Sequence, residues 1–207
     1  MIDFWLVRHG ETEENIKGIC QGQTPGTLTT NGYMQAKKVG EALQDIKFQH
    51  IYSSDLLRTM ESSKAIANFQ GKTQIIPTKL LRERYLASWQ GKAFPKDWDC
   101  SDSSLPKDAE TCEDLLNRVR KFMAMLILNH KNEAMLAVSH GGLIRAFWTV
   151  LQNENPESYY RWESPLNTSI SRFSINEGGI SKCLFKNSIE HLDCNFELDK
   201  NDITWQL

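Results

Sequence analysis

Two histidines stand where a short apolar run gives way to a polar, glycine-containing loop: Val7-Arg8-His9-Gly10 and Val138-Ser139-His140-Gly141-Gly142. A neutral imidazole nitrogen attacks phosphorus without a separate base. Phosphoryl transfer also needs cations on the equatorial oxygens and an acid for the leaving oxygen. Arg8 offers a fork of hydrogen bonds beside His9. Arg58 lies just past Tyr52-Ser53-Ser54-Asp55, and a protonated His140 supplies a further cation. Gly141 and Gly142 let backbone N–H groups at a helix start come close to an anion. The alternative for Arg58 is an ion pair with Asp55 at a helix start. Arg82, Arg84, Lys92 and Lys96 read either as a second anion site or as a solvated basic face.

The elements that must position these groups follow from periodicity and caps. Residues 2–7 and 134–138 are continuous apolar runs, as expected of strands buried on both faces. Residues 50–53 and 74–77 read as two more strands. Thr29-Thr30-Asn31 supplies cap chemistry for a helix through about residue 44, with Ala36, Val39, Ala42 and Leu43 on one face. Residues 55–68 read as a helix, and so does the segment from Gly141 to about Leu151. Residues 110–129 give the clearest helical pattern, carried by Leu115, Leu116, Val119, Phe122, Met123, Leu126 and Ile127. Residues 168–175 and 180–185 alternate like edge strands around Glu177-Gly178-Gly179, a hairpin signal. Residues 91–107 hold prolines, tryptophans and many polar groups and read as a loop-rich cover. Strands alternating with helices predict an α/β three-layer sandwich, a mainly parallel sheet with helices on both faces. Ligands in such sheets sit outside the carboxyl ends of the strands, where His9 and His140 fall.

Composition narrows the partners. The chain has 207 residues, 40% apolar and 24% charged, with a net charge of -2. That length suits a single domain over residues 1–207. The charge gives no field for nucleic acid. Five cysteines, none at C-x-x-C spacing, argue against a disulfide framework or a thiolate zinc site. No His-x-x-x-His or carboxylate cluster suggests a metal, and no cofactor is implied. The start of the chain lacks a basic region, and no apolar stretch reaches membrane-spanning length, so the expected setting is cytoplasmic, with no membrane partner. His50, His130 and His191 read as ordinary surface or loop histidines. Oligomeric state leaves no mark.

The string Leu6-Val7-Arg8-His9-Gly10-Glu11-Thr12, followed by Asn15, resembles the histidine phosphatase superfamily, which includes the cofactor-dependent phosphoglycerate mutases. So do Ser53-Ser54-Asp55-Leu56-Leu57-Arg58-Thr59, Leu81-Arg82-Glu83 and Val138-Ser139-His140-Gly141-Gly142. They come in the family's order and cover residues 2 to about 147. The resemblance implies a phosphoglycerate mutase-like fold and a metal-independent phosphohydrolase of small phosphorylated metabolites. It makes His9 the phosphorylated nucleophile and Arg8, Arg58 and His140 the phosphate clamp. Glu83 becomes the proton donor to the leaving group and then the base for water. Asn15, Gln21 and Gly22 match positions that contact phosphate or substrate, and Gly141 belongs with them through the backbone argument above. Gln21-Gly22, Leu81-Arg82-Glu83-Arg84 and Gly91-Lys92 look most like TIGAR-type fructose-2,6-bisphosphatases. That likeness, with Arg82, Arg84 and Lys92 flanking Glu83, points to a sugar bisphosphate whose second phosphate meets these basic groups, Arg84 and Lys92 foremost.

Two departures stand out. Ala87 replaces a common family glycine and is expected to narrow the pocket wall. Asp108-Ala109 replaces a frequent Gly-Gly in the cover. A second reading is a phosphoglycerate mutase using the same phosphohistidine. The short segment 92–110, which contains no arginine to hold a substrate carboxylate, favours the hydrolase. A third reading, a binding module without catalysis, has no use for a poised nucleophile and acid.

Overall fold

Successive residues of the strand Ile2–Arg8 (β1) face opposite sides of a sheet. Phe4 and Leu6 join one apolar cluster, and Trp5 and Val7 join the other. The strand Ala134–Ser139 (β4) does the same, with Met135 and Ala137 on the first side and Leu136 and Val138 on the second. Both faces are therefore covered, which is why these strands are apolar throughout rather than alternating. The computed structural model describes residues 1–95 and 101–192. Lys96, Cys100 and Cys194 lie outside the described residues.

The remaining strands are β2 (Phe48–Ser54), β3 (Gln74–Thr78), β5 (Ile170–Ile175) and β6 (Ser181–Ser188). The sheet order is β3-β2-β4-β1-β5-β6. β1, β2, β3 and β4 pair in parallel, whereas β5 runs antiparallel to β1 and β6 antiparallel to β5. The expected hairpin is present, but of its two strands just β6 lies at a sheet edge. β5 is interior, held between β1 and β6, and its Ile170, Phe173 and Ile175 are buried.

In chain order the helices are α1 (Glu13–Ile16), α2 (Thr30–Ala42), α3 (Leu57–Ala67), α4 (Cys112–Asn129), α5 (Gly141–Leu151) and α6 (Ser158–Arg161). Val39 of α2 and Ile66 of α3 pack on the Trp5 side. α4 and α5 pack on the Phe4 side. There Phe4, Phe122 and Phe147 meet with ring centroids 5.6–6.3 Å apart, and Tyr52 lies 5.5 Å from Phe122. Emptying one such position by truncation to alanine costs about 3–5 kcal/mol.

Side-chain chemistry moved two helix starts inward. Thr111 accepts from the Asp114 N–H in a capping box, so α4 begins after it. Glu110 instead pairs with Arg118. Asp55 takes Arg82 in a two-pronged bond rather than capping, and α3 begins at Leu57. α1, α6 and the 3-10 turns at Lys79–Leu81, Ala87–Trp89 and Asp102–Ser104 are too short to leave a periodic pattern.

Chain direction makes the crevice. From β1 the chain leaves to α2 on the Trp5 face, and from the adjacent β4 it leaves to α5 on the opposite face. Neighbouring strands with diverging connections open a cleft at their carboxyl ends. Arg8 is in register with Ser139, and the His9 N–H donates to the Ser139 carbonyl at 3.0 Å.

Of the other histidines, His130 and His191 stand in loops, as expected, whereas His50 lies in β2, and none is fully exposed. His130 is buried, its Nε2 2.8 Å from Tyr52 Oη and its Nδ1 2.9 Å from Glu133, with the His50 ring 5.5 Å away. His191 is part-buried, 3.2 Å from Thr168 Oγ1. No described helix is long and apolar enough to cross a membrane.

Candidate active site

The strand register brings the two motif histidines together, with ring centroids 5.3 Å apart. His9 is 3% exposed, and its Nδ1 lies 2.7 Å from its neighbour's carbonyl, Gly10 O. A carbonyl only accepts, so Nδ1 carries the proton and Nε2 keeps its lone pair. Burial, then Arg58 and Arg8, hold the His9 pKa well below its ordinary value, against the Gly10 bond. The imidazole is neutral and part of the cavity wall. Its carbonyl is held by the Thr168 N–H at 3.2 Å and Asn167 Nδ2 at 3.1 Å.

Arg58 is 1% exposed and commits four of its five N–H donors. Nε donates to His140 Nδ1 at 3.1 Å, Nη1 to the Thr24 and Pro25 carbonyls, and Nη2 to the Gly22 carbonyl. The expected alternative, a pair with Asp55, does not form, because Arg82 takes that carboxylate. Burial lowers the Arg58 pKa to about 10, so it remains a cation. His140 differs from expectation. It accepts from Arg58 at Nδ1, its Nε2 is 2.8 Å from Ser54 Oγ, and burial and Arg58 hold its pKa well below normal. It is a neutral donor rather than a further cation. Arg8 Nη1 donates to the Pro165 carbonyl at 2.6 Å.

Glu83 faces the same cavity. Its Oε1 accepts from the Arg84 N–H at 2.7 Å and its Oε2 from the Gly142 N–H, at the start of α5, at 3.0 Å. Each carboxyl oxygen has a second lone-pair direction left for a proton. Beside Glu83, the Cys20 thiol is pushed up to about 12 by burial and by that carboxylate, so it stays protonated.

Asn15, Gln21, Gly22 and Gly141 all line the cavity. Asn15 Oδ1 accepts from Thr12, through N–H and hydroxyl, and from Asn167 Nδ2. Gln21 Nε2 donates to Thr12 Oγ1 at 2.8 Å, and its buried Oε1 has no hydrogen-bond partner among the described residues. The expected basic cluster separates. Arg84 lines the cavity, buried and paired with Asp102. Arg82 is held by Asp55 and is not part of the wall. Lys92 is exposed and is not part of the wall either; its backbone is engaged, the carbonyl by the Cys20 N–H and the N–H by the Trp89 carbonyl. Ala87 does not line the cavity; Leu86 does.

Sequence reasoning missed Arg145, Tyr159, Asn167 and Thr168. Arg145 had a usable signal: it stands four residues after Gly141, one helical turn along the same face. Tyr159 enters through a one-turn helix and left no signal. Among the described residues no group of three or more His, Cys, Asp or Glu could hold a metal ion.

A cleft with arginines and a neutral imidazole at one end and a carboxyl group beside it is built for phosphoryl transfer on an α/β sheet. The family model for branch 1 of the histidine phosphatase superfamily matches residues 4–188, and the chain belongs to that superfamily. It is a phosphoric monoester hydrolase of that superfamily. Phosphoglycerate mutase-like protein 4 of Arabidopsis thaliana is 32% identical over 203 residues, 91% of this chain and 86% of that one. YhfR of Bacillus stearothermophilus shares the fold with a TM-score of 0.87 at 22% identity, over 93% of this chain and all of that one. A mutant phosphoserine phosphatase of Entamoeba histolytica, solved with phosphoserine, gives a TM-score of 0.81 at 26% identity, over 93% of this chain and all of that one.

Proposed function

We propose that the protein hydrolyses phosphomonoesters of small metabolites through a phosphohistidine on His9. The observation that carries this is the His9 Nδ1 bond to the Gly10 carbonyl, which leaves Nε2 as the lone-pair nitrogen in a cavity shared with Arg8, Arg58 and Glu83. Nε2 attacks phosphorus in line and the ester P–O bond breaks. Arg8 and Arg58 stabilise the charge on the equatorial oxygens, and His140, buried behind the wall and bonded to Arg58 and Ser54, holds the Arg58 guanidinium in place. Glu83 gives its proton to the leaving oxygen, then takes one from the water that attacks phosphorus, as the P–N bond breaks and His9 Nε2 regains its lone pair. Asn15, Gln21, Gly22 and Gly141 complete the phosphate pocket.

The cavity has a volume of about 340 Å³, the scale of a small metabolite. Fructose-2,6-bisphosphate fits that class, but Arg82 and Lys92 lend it no support from their positions, so the proposal stays with small phosphorylated metabolites, sugar phosphates included. We read residues 1–207 as one domain working in the cytoplasm.

The test is an alkaline quench with a phosphorus-labelled substrate. Label should be base-stable and acid-labile, and should map to His9. His9→Ala should lose both label and turnover. Label on a serine or cysteine overturns the mechanism. Interconversion of phosphoglycerates faster than phosphate release overturns the hydrolase reading in favour of a mutase.

A further inference from the structure

Besides the phosphate clamp and Glu83, the cavity wall holds apolar Leu86, Phe94 and Pro95 together with Arg84, Arg145 and Tyr159. The two arginines flank one ring: the Arg145 guanidinium carbon is 4.6 Å from the Tyr159 centroid and that of Arg84 is 5.7 Å away.

Neither arginine is saturated. Arg84 is 3% exposed; Nε donates to the Glu110 carbonyl at 2.7 Å and Nη2 to Asp102, but the buried Nη1 has no hydrogen-bond partner among the described residues. Arg145 donates Nε and Nη2 to the Tyr159 carbonyl at 3.1 and 2.9 Å, and Nη1 makes no hydrogen bond among the described residues. No described carboxylate pairs with Arg145. Tyr159 does not supply the missing negative charge, because burial raises its phenol pKa and keeps it neutral. A buried guanidinium N–H without an acceptor is unfavourable unless a ligand completes it.

We propose that Arg84 and Arg145, gathered on Tyr159 in this wall, form a second anion subsite. A carboxylate or second phosphate on the leaving alcohol docks at Arg145 and Nη1 of Arg84, so the enzyme selects small phosphomonoesters with an anionic tail. The inference rests on the phosphatase reading above for its phosphoryl end. It differs from the basic cluster expected from sequence, since Arg82 and Lys92 are absent from the wall and Arg145 takes their place.

Binding separates the two readings, because the His9→Ala variant binds without turning over. Dissociation constants would be measured on that background by calorimetry for two matched pairs. The first pair is 3-phosphoglycerate and glycerol 3-phosphate, which differ by a carboxylate. The second is fructose 1,6-bisphosphate and fructose 6-phosphate, which differ by a phosphate. The tail-bearing member of at least one pair should bind at least about tenfold tighter, as a charge-assisted contact allows. Adding Arg145→Gln should reduce that preference about tenfold or more, and Arg145→Lys should keep part of it. The pair that responds identifies the tail. Equal affinities within both pairs, or a preference that Arg145→Gln leaves intact, overturns the subsite. Failure of the intact enzyme to release phosphate or form phosphohistidine overturns the phosphatase reading instead, and the affinity ratios still decide the subsite.

Discussion

Arg58 donates its Nε–H to His140 Nδ1 across 3.1 Å, and that bond requires the imidazole to be unprotonated there. The other ring nitrogen then carries the proton and gives it to Ser54 Oγ. Arg58 thus does two things with one side chain. It brings positive charge beside His9, and it keeps the second histidine a neutral hydrogen-bond donor. The clamp's charge comes from arginines, which do not titrate near neutrality.

Stability should fall with acid earlier than carboxylates alone would cause. Burial, then Arg58, hold both His9 and His140 well below the ordinary 6.5. Above pH 6.5 neither the folded nor the unfolded chain protonates them, and they leave stability unchanged. Below 6.5 the unfolded chain takes up protons that the folded chain excludes, so stability is lost as pH falls. The slope is about 1.4 kcal/mol per pH unit for each of the two histidines. His191, lowered to about 4 by burial, adds to the loss between 6.5 and 4. Carboxylates with lowered pKa, such as Asp55, act only below this window. Urea midpoints from pH 7.5 to 5 should drop steeply from about 6.5, and the slope should ease in His191→Gln. A flat profile would mean that the folded protein takes up these protons.

Glu83→Gln should slow alkyl phosphates far more than aryl phosphates. A phenolate leaves without much help, whereas an alkoxide needs the proton. General acid catalysis is worth roughly 10²–10⁴-fold, so the alkyl defect in kcat should be of that order. Equal losses on p-nitrophenyl phosphate and an alkyl phosphate would assign Glu83 to binding.

Ala87→Gly should stabilise the protein. Ala87 is buried at φ +47°, the left-handed region that disfavours a Cβ. An L residue there costs about 1–2 kcal/mol, and glycine's extra freedom in the unfolded chain offsets part of the relief. The expected gain is up to about 1 kcal/mol, read as a higher urea midpoint at unchanged slope. A lower midpoint would show that the methyl's packing outweighs the strain.

This same residue marks where sequence reading stopped. The departure at Ala87 was visible, but its effect was placed on the pocket wall, since a dihedral angle leaves no trace in a single sequence. The strands and long helices were legible because burial on two faces imposes long apolar runs and helical periods, as in Phe4-Trp5-Leu6-Val7 and Leu115 to Leu126. The placement of His9 beside His140 was legible from two strand-end motifs. The fate of Arg82, Arg84 and Lys92 was not. One charged run supplied a group bound to Asp55 and a buried group in the cavity wall, while Lys92, a few residues further along, faces solvent. Tertiary partners far along the chain decide among those outcomes. Arg145 was easy to pass over for a different reason: its one signal was the four-residue spacing from Gly141 in an otherwise apolar helix, and its partner Tyr159 enters from a separate one-turn helix.

Gly142→Ala should damage the chemistry while sparing the fold. A Cβ built at Gly142 meets Glu83 Oε1 at 2.4 Å, Cδ at 3.2 Å and Tyr159 Oη at 3.4 Å. The first contact is impossible as it stands. The obstructing atom is the end of a flexible side chain, so the carboxyl group gives way rather than the backbone. Within a helix, alanine replaces glycine with a gain of up to about 1 kcal/mol, which offsets the lost Glu83 bond to the Gly142 N–H. The melting temperature should therefore change little. The displaced carboxyl group can no longer reach the leaving oxygen, so kcat on alkyl phosphates should fall by roughly 10²-fold or more, with a smaller loss on aryl phosphates. The decisive comparison is the double variant. If Gly142→Ala acts through Glu83, adding it to Glu83→Gln should cost far less than it does alone, because neighbouring residues in one mechanism are not additive. Full additivity, or an alkyl phosphate kcat unchanged by Gly142→Ala, would show that Glu83 does not protonate the leaving group from the position it holds here.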